Sequence, residues 1–200
     1  VYDAFNPLAR ARYWEYANGE FFGNGFDAWW CDCTEPLDAD WRPMSEGYGW
    51  DSHEERWKGN LALLDGVLGA ERSSLFSLYH SKGLYENQRA TTDRKRVVNL
   101  TRSSYAGQQR YSTITWNGDT HASWKSFAQQ IPQGLNFMAT GCPYWTVDIG
   151  SFFTRKGREW FRAGDFDAGV DDMGYREYYV RMLQYGAFLP LFRSHGTDTP

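Results

Sequence analysis

The sequence predicts an α/β fold built on a parallel sheet, and two observations carry that prediction. Segments with helical spacing alternate with short β-favouring runs in the order helix, strand, helix, strand, strand, helix, strand, helix, strand, the pattern that parallel strands and crossover helices produce. The polar residues Asp32, Arg102, Asp119, Asp148, Arg193 and His195 all fall at or just after the C-terminal ends of those strands. That edge is where parallel α/β architectures, barrels above all, build their active sites. With 200 residues the chain is long enough for one domain and short of two.

The first helix is expected from Asn6 to Asn18: Asn6 suits the cap, Pro7 the first turn, and Gly19 follows the end. The stretch "GFDAWWCDCTEP" then supplies an aromatic, β-favouring run from about Phe26 to Asp32, bounded by Gly25 and Pro36. Residues 37–56 mix turn formers, Trp and charge without period, which predicts a long loop. Leu61, Leu64 and Leu68, then Leu75, Leu78 and Tyr79, predict a helix or broken pair of helices over 55–89. Strands are expected at Val97–Thr101 and at Tyr111–Trp116. Trp124, Phe127, Ile131, Leu135 and Met138 mark one face of a helix that also carries Pro132. "YWTVDIG" reads as a strand ending in Asp148, a helix follows over about Met173–Phe188, and "LFRSHG" reads as the last strand.

Composition narrows the function. Ten Trp and 13 Tyr exceed the needs of a core this size, and side chains with a flat apolar face and a polar edge suit carbohydrate, nucleobase or protein surfaces. The 25 acidic residues outnumber the 21 basic ones and leave no basic stripe for phosphates, so nucleic acid is not an expected partner. No apolar run approaches the roughly 20 residues that span a bilayer, and Val1–Arg10 lacks the basic start and apolar stretch of a signal peptide, so no membrane partner is expected. Cys31, Cys33 and Cys142 show no repeated spacing, and His53, His80, His121 and His195 are scattered. Packing therefore ranks above metal binding for the cysteines, with Cys31 and Cys33 sharing one face of a strand.

Two carboxylates on neighbouring strand ends, with Arg and Trp around them, suit glycoside hydrolysis. One must be ionised to attack the anomeric carbon and the other must hold a proton for the leaving oxygen. Asp32 is the better nucleophile, because Arg102 or Arg193 nearby would keep it charged. Asp119 follows Trp116, Asn117 and Gly118 in a tight setting that could hold a proton longer. Each has a plainer reading: Asp32 as a cap, Asp119 as a turn residue, His195 as a core histidine, Arg193 as an ion-pair partner. Glu35 lies beyond the strand end and reads as an orienting or loop-fixing group. "NLT" at Asn99 matches a glycosylation pattern, but inside a buried strand it should be silent.

Five blocks in order resemble glycoside hydrolase family 31, the retaining α-glycosidases with a (β/α)8 TIM barrel. "WWCDCTEP" is similar to the family's nucleophile block, "TRSSYAGQQRY" and "TWNGDTHASW" to its arginine and acid/base blocks, "YWTVDIGSFF" to its DIGGF block, and "LQYGAFLPLFRSHG" to its last strand. The resemblance implies that Asp32 is the nucleophile and Asp119 the general acid/base. It further implies that Arg102, Trp116, Asp148, Arg193 and His195 line the subsite for the cleaved sugar, with Trp30, Trp145 and Phe152 as added candidate contacts. It implies an oligosaccharide or glycoside substrate and no cofactor, since displacement between two carboxylates needs none.

"DCTEP" replaces the DMNE-type block of the α-glucosidases and looks more like the α-xylosidase members, which moves the expected substrate toward α-xylosides, with Trp30 or Trp145 crowding the C6 position. Ser151 stands where the family usually has glycine, adding a side chain where backbone approaches sugar. Trp41 and Trp50 in the long loop are expected to shape leaving-group subsites. A complete barrel takes about 250 residues, so residues 1–200 are expected to supply a partial catalytic barrel domain, strands 4–8. The remainder of a parent chain would complete the barrel, and the segment alone is expected to be inactive.

Overall fold

The computed structural model describes residues 2–35, 53–157 and 162–198. Trp41, Trp50 and the expected loop up to residue 52 lie outside the described residues. The chain divides into two compact units, residues 1–114 and 115–200. Each pairs its strands in parallel and covers them with helices, which is the α/β architecture the alternation predicts.

In the first unit, α1 spans Pro7–Glu20; the Asn6 side chain accepts the Leu8 N–H at 2.9 Å, and Pro7 opens the first turn. The helix runs two residues beyond its expected end, because Gly19 stays helical and a 3₁₀ turn at Phe22–Asn24 closes the segment. Strand β1 is Trp29–Cys31. The helical stretch then comes in three pieces: α2 (His53–Leu68), α3 (Ala70–Ser73) and α4 (Phe76–Thr91). The first break falls at Gly69, whose φ is +84°, where the Asp65 carboxylate accepts the Ala70 N–H at 2.8 Å.

Strand β2, Asn99–Thr101, is shorter than expected and pairs with β1 in the register Trp29–Asn99, Trp30–Leu100, Cys31–Thr101. Successive side chains of a strand point to opposite faces. Trp29 and Cys31 accordingly pack with Trp14, Ala17, Phe22 and Leu84 of the α1–α4 side, while Trp30 is 49% exposed. A second cluster joins Ala4 to Leu64, Leu68 and Phe76. Asn99 is fully buried, so its glycosylation pattern sits inside the sheet. The stretch expected as a strand from Tyr111 begins instead as a 3₁₀ turn, Gln108–Tyr111. Ser112 follows at φ +57°, and β3 covers only Thr113–Trp116.

In the second unit, β3 pairs with β4 (Trp145–Thr146) in the register Thr115–Trp145 and Trp116–Thr146. Helix α5, Trp124–Ala139, is capped by the Ser123 hydroxyl, which accepts the Ser126 N–H at 3.0 Å, and it continues through Pro132. The face it buries is the expected one only in part: Phe127 and Met138 pack against the core. Ser126, Gln130 and Gly134 are buried, whereas Ile131 and Leu135 are exposed. Helix α6, Met173–Gly186, is capped by Asp172 and buries Tyr175, Tyr178, Met182 and Gly186. Trp145, Val147, Ile149 and Ala122 join these residues in one core. The expected last strand is reduced to a single parallel bridge between Ile149 and Ser194.

Candidate active site

Each unit carries one of the two expected catalytic carboxylates. In the first unit the chain leaves β1 at Cys31, and Asp32 turns away with Cys33 in the left-handed region, φ +54°. This corrects the expectation that Cys31 and Cys33 share a strand face. Cys31 is buried among apolar side chains, and burial pushes its thiol up to about 12. Cys33 lies in the turn, where its Sγ is 3.2 Å from Arg102 Nη2. Burial also pushes the Cys33 thiol up, to about 11, with Arg102 opposing the rise.

The Asp32 carboxylate is half exposed, and its Oδ1 accepts the Cys33 N–H at 2.7 Å and stands 3.3 Å from Arg102 Nη1. Arg102 follows β2 directly, so the parallel register of β1 and β2 brings the two residues to the same strand-end edge. Its Nε donates to Glu35 Oε1 at 2.8 Å, its Nη2 donates to the same oxygen, and Ser103 Oγ donates to Glu35 Oε2 at 2.6 Å. Burial alone would lower the Arg102 pKa, but the charges of Glu35 and Asp32 outweigh it and raise the value. A hydroxyl pair beneath, Thr34 and Thr101 at 2.6 Å, ties the two strand ends together. The arrangement can hold a partly exposed carboxylate in a fixed direction.

In the second unit Trp116 ends β3 and is 2% exposed, and Arg193 lays its guanidinium 5.3 Å from the ring centroid. The same guanidinium donates through Nη2 to Asp148 Oδ1, and Asp148 is fully buried. Asp119 stands exposed in the turn after Trp116, where Gly118 adopts φ +80° and its carbonyl accepts the Thr120 N–H at 3.0 Å. Beyond the turn the chain pairs with the segment after β4: Phe153 N–H donates to Thr120 O at 3.0 Å, and Ala122 N–H to Phe153 O at 2.9 Å. The Phe152 ring lies tilted, 5.4 Å from that of His195, and the Thr197 hydroxyl donates to the Phe152 carbonyl. Trp116, Asp148 and Arg193 therefore form one group, and Phe152 with His195 another.

Two expectations fail on the direction of side chains. Trp145 is 6% exposed and packs at 5.0 Å from Phe137 of α5, on the face it shares with Val147 and Ile149. Asp148 alternates to the other face, so Trp145 belongs to the helix-facing core rather than to a sugar contact. Ser151 does not reach into the site either: at φ +62° it is fully buried, and its hydroxyl is 2.7 Å from the Tyr178 hydroxyl of α6. The partners that sequence reasoning left out are Ser103 and Cys33; only the adjacency of Ser103 to Arg102 hinted at the first.

The whole chain, residues 1–200, matches the model of the glycosyl hydrolases family 31 TIM-barrel domain. It is 37% identical to an alpha-xylosidase of Saccharolobus solfataricus over 98% of this chain and 24% of that protein. Against alpha-xylosidase A of Aspergillus niger the identity is 33%, over 99% of this chain and 27% of the relative. The solved structure of a family 31 alpha-xylosidase from Xanthomonas citri superposes with a TM-score of 0.75 at 32% identity, covering 98% of this chain and 20% of that one. The chain thus spans about a quarter of the length of the curated relatives it matches. It belongs to glycoside hydrolase family 31, within the TIM-barrel domain of that family.

Proposed function

We propose that this chain is the catalytic-barrel segment of a retaining exo-α-glycosidase that releases terminal α-linked xylose in preference to glucose. Asp32 attacks the anomeric carbon while Asp119 protonates the leaving oxygen; Asp119 then takes a proton from water, which displaces Asp32 and restores the original configuration. Asp148 and Arg193 hydrogen-bond hydroxyls of the cleaved sugar, with Trp116, Phe152 and His195 as walls. Trp30, exposed and two residues before Asp32, is the residue proposed to crowd C6 and favour a pentose.

The observation that carries this reading is the half-exposed Asp32 carboxylate held 3.3 Å from an Arg102 that Glu35 grips in turn. A residue that only capped a turn would need no such second charge. The test is hydrolysis of 4-nitrophenyl α-xyloside and α-glucoside by the full-length protein carrying this chain, with Asp32→Asn and Asp119→Ala beside it. Faster turnover of the xyloside, first product α-xylose by NMR, and loss in both variants are expected. Equal rates on both sugars overturn the xylose preference, transfer to an added sugar in place of water marks an α-transglycosylase, and binding without turnover marks a carbohydrate-binding protein.

A further inference from the structure

We propose that Glu35 is a positioning residue for the nucleophile: it grips Arg102 so that the guanidinium steers the Asp32 carboxylate without quenching it. The inference rests on the retaining mechanism above and adds to it a residue that acts through Arg102. Glu35 and Arg102 are both largely buried, with side chains 19% and 16% exposed, while the Asp32 side chain is 50% exposed. The inner pair is therefore the rigid element and Asp32 the presented one.

The hydrogen bonds give the direction of control. Oε1 of Glu35 takes Nε and Nη2 of Arg102, which fixes the guanidinium plane, and Ser103 Oγ fixes the carboxylate through Oε2. Nη1 is the nitrogen that then faces Asp32 Oδ1, at 3.3 Å. Charge matters as much as direction. One cation between two carboxylates leaves the trio with a net negative charge, so Asp32 is oriented by a guanidinium whose field Glu35 has already partly cancelled. With Glu35 removed, an uncompensated buried guanidinium would turn onto Asp32 and lower the nucleophilicity of its carboxylate, since a charge losing its buried partner seeks another. Misplacing a reacting group by about 1 Å costs on the order of 100-fold in rate.

The experiment uses the full-length protein, first shown to lose turnover in Asp32→Asn, so that failure of the glycosidase reading is seen separately. Glu35→Ala is expected to lower kcat about 100-fold with KM changed less than about threefold, because the sugar contacts proposed for Asp148 and Arg193 are untouched. Formate, small enough for the vacated place, should restore about tenfold of that loss and give the retained anomer. In Asp32→Ala, by contrast, formate acting as the nucleophile gives the inverted one. Glu35→Gln, which keeps the shape and an acceptor while removing the charge, should lose about tenfold and covers the case in which the alanine variant fails to fold. A kcat within threefold of the parent in Glu35→Gln, a loss confined to KM, or a folded Glu35→Ala that formate leaves unchanged overturns the proposal. If the parent shows no turnover, ¹³C NMR of the carboxyl signal that Asp32→Asn removes still decides it: that signal should move in Glu35→Gln, and an unchanged signal overturns the hold.

Discussion

Ser151 turns its hydroxyl into the helix-facing core, 2.7 Å from that of Tyr178. Burial raises the Tyr178 pKa to about 12, opposed by the hydrogen bonds to Ser151 and the Ser123 backbone, so the phenol stays protonated. Ser151 holds φ +62°, a conformation costly for any residue with a Cβ. The two effects separate by substitution. Ser151→Ala keeps the strain and loses the hydrogen bond, costing about 1–2 kcal/mol. Ser151→Gly loses the same bond but recovers about 1 kcal/mol of backbone strain. Glycine should therefore be the milder change in urea unfolding, and alanine at least as stable as glycine would contradict the reading.

Arg193 joins a ring and a buried acid through one guanidinium, 5.3 Å over Trp116 and hydrogen-bonded to Asp148. Lysine supplies the charge but neither the planar face nor the fork. Removing one partner of a buried pair costs about 3–5 kcal/mol, because the other charge stays buried. Arg193→Ala is expected in that range, Arg193→Lys at less, and the double variant Arg193→Met with Asp148→Asn nearer the parent than Arg193→Ala. A double variant as unstable as the sum of its parts would show that the two residues do not act as a pair.

The residues of the candidate site were legible in the sequence because each stands in a block whose order and chemistry are distinctive, and Asp32 and Arg102 meet as the strand-end pattern predicts. Their directions were harder to read. A parallel strand is covered on both faces and shows no polar alternation, so although the odd spacing in "YWTVDIG" puts Trp145 and Asp148 on opposite faces, nothing in that run said which face turns to the helices. The face of α5 was legible only in part: Phe127 and Met138 pack inward as expected, but Ile131 and Leu135 are apolar and exposed, while Ser126, Gln130 and Gly134 are buried. Gly134 allows close approach and Gln130 buries a large polar side chain, and hydrophobic periodicity scores neither.

Gly134 tests that approach. A Cβ at this position would lie 2.8 Å from Nε1 and 2.9 Å from Cδ1 of Trp145, and 3.2 Å from the Tyr185 hydroxyl. Alanine in a helix interior normally gains about 1 kcal/mol over glycine, so the intrinsic preference and the packing oppose each other. The Trp145 ring is wedged against Phe137 and cannot yield without moving the core. Gly134→Ala should destabilise by about 1–2 kcal/mol net, and Gly134→Ala in a Trp145→Leu background should be neutral or stabilising. Thermal unfolding of the four proteins measures the coupling.

His80 gives the stability of the first unit a pH dependence. It is 5% exposed, stacked on Phe76, and its Nδ1 lies 2.9 Å from the Tyr2 hydroxyl. Burial lowers the His80 pKa to about 4 and raises that of Tyr2, so a neutral imidazole and a protonated phenol share this hydrogen bond. In the unfolded chain a histidine titrates near about 6.5. Between those values the unfolded state binds the proton and the folded state does not, so stability is complete above about pH 6.5 and falls as the pH drops toward 4. The whole span amounts to about 3 kcal/mol. Urea midpoints of the parent should fall over that window more steeply than those of His80→Gln, which has nothing to protonate there. Equal slopes for the two would place the proton uptake elsewhere.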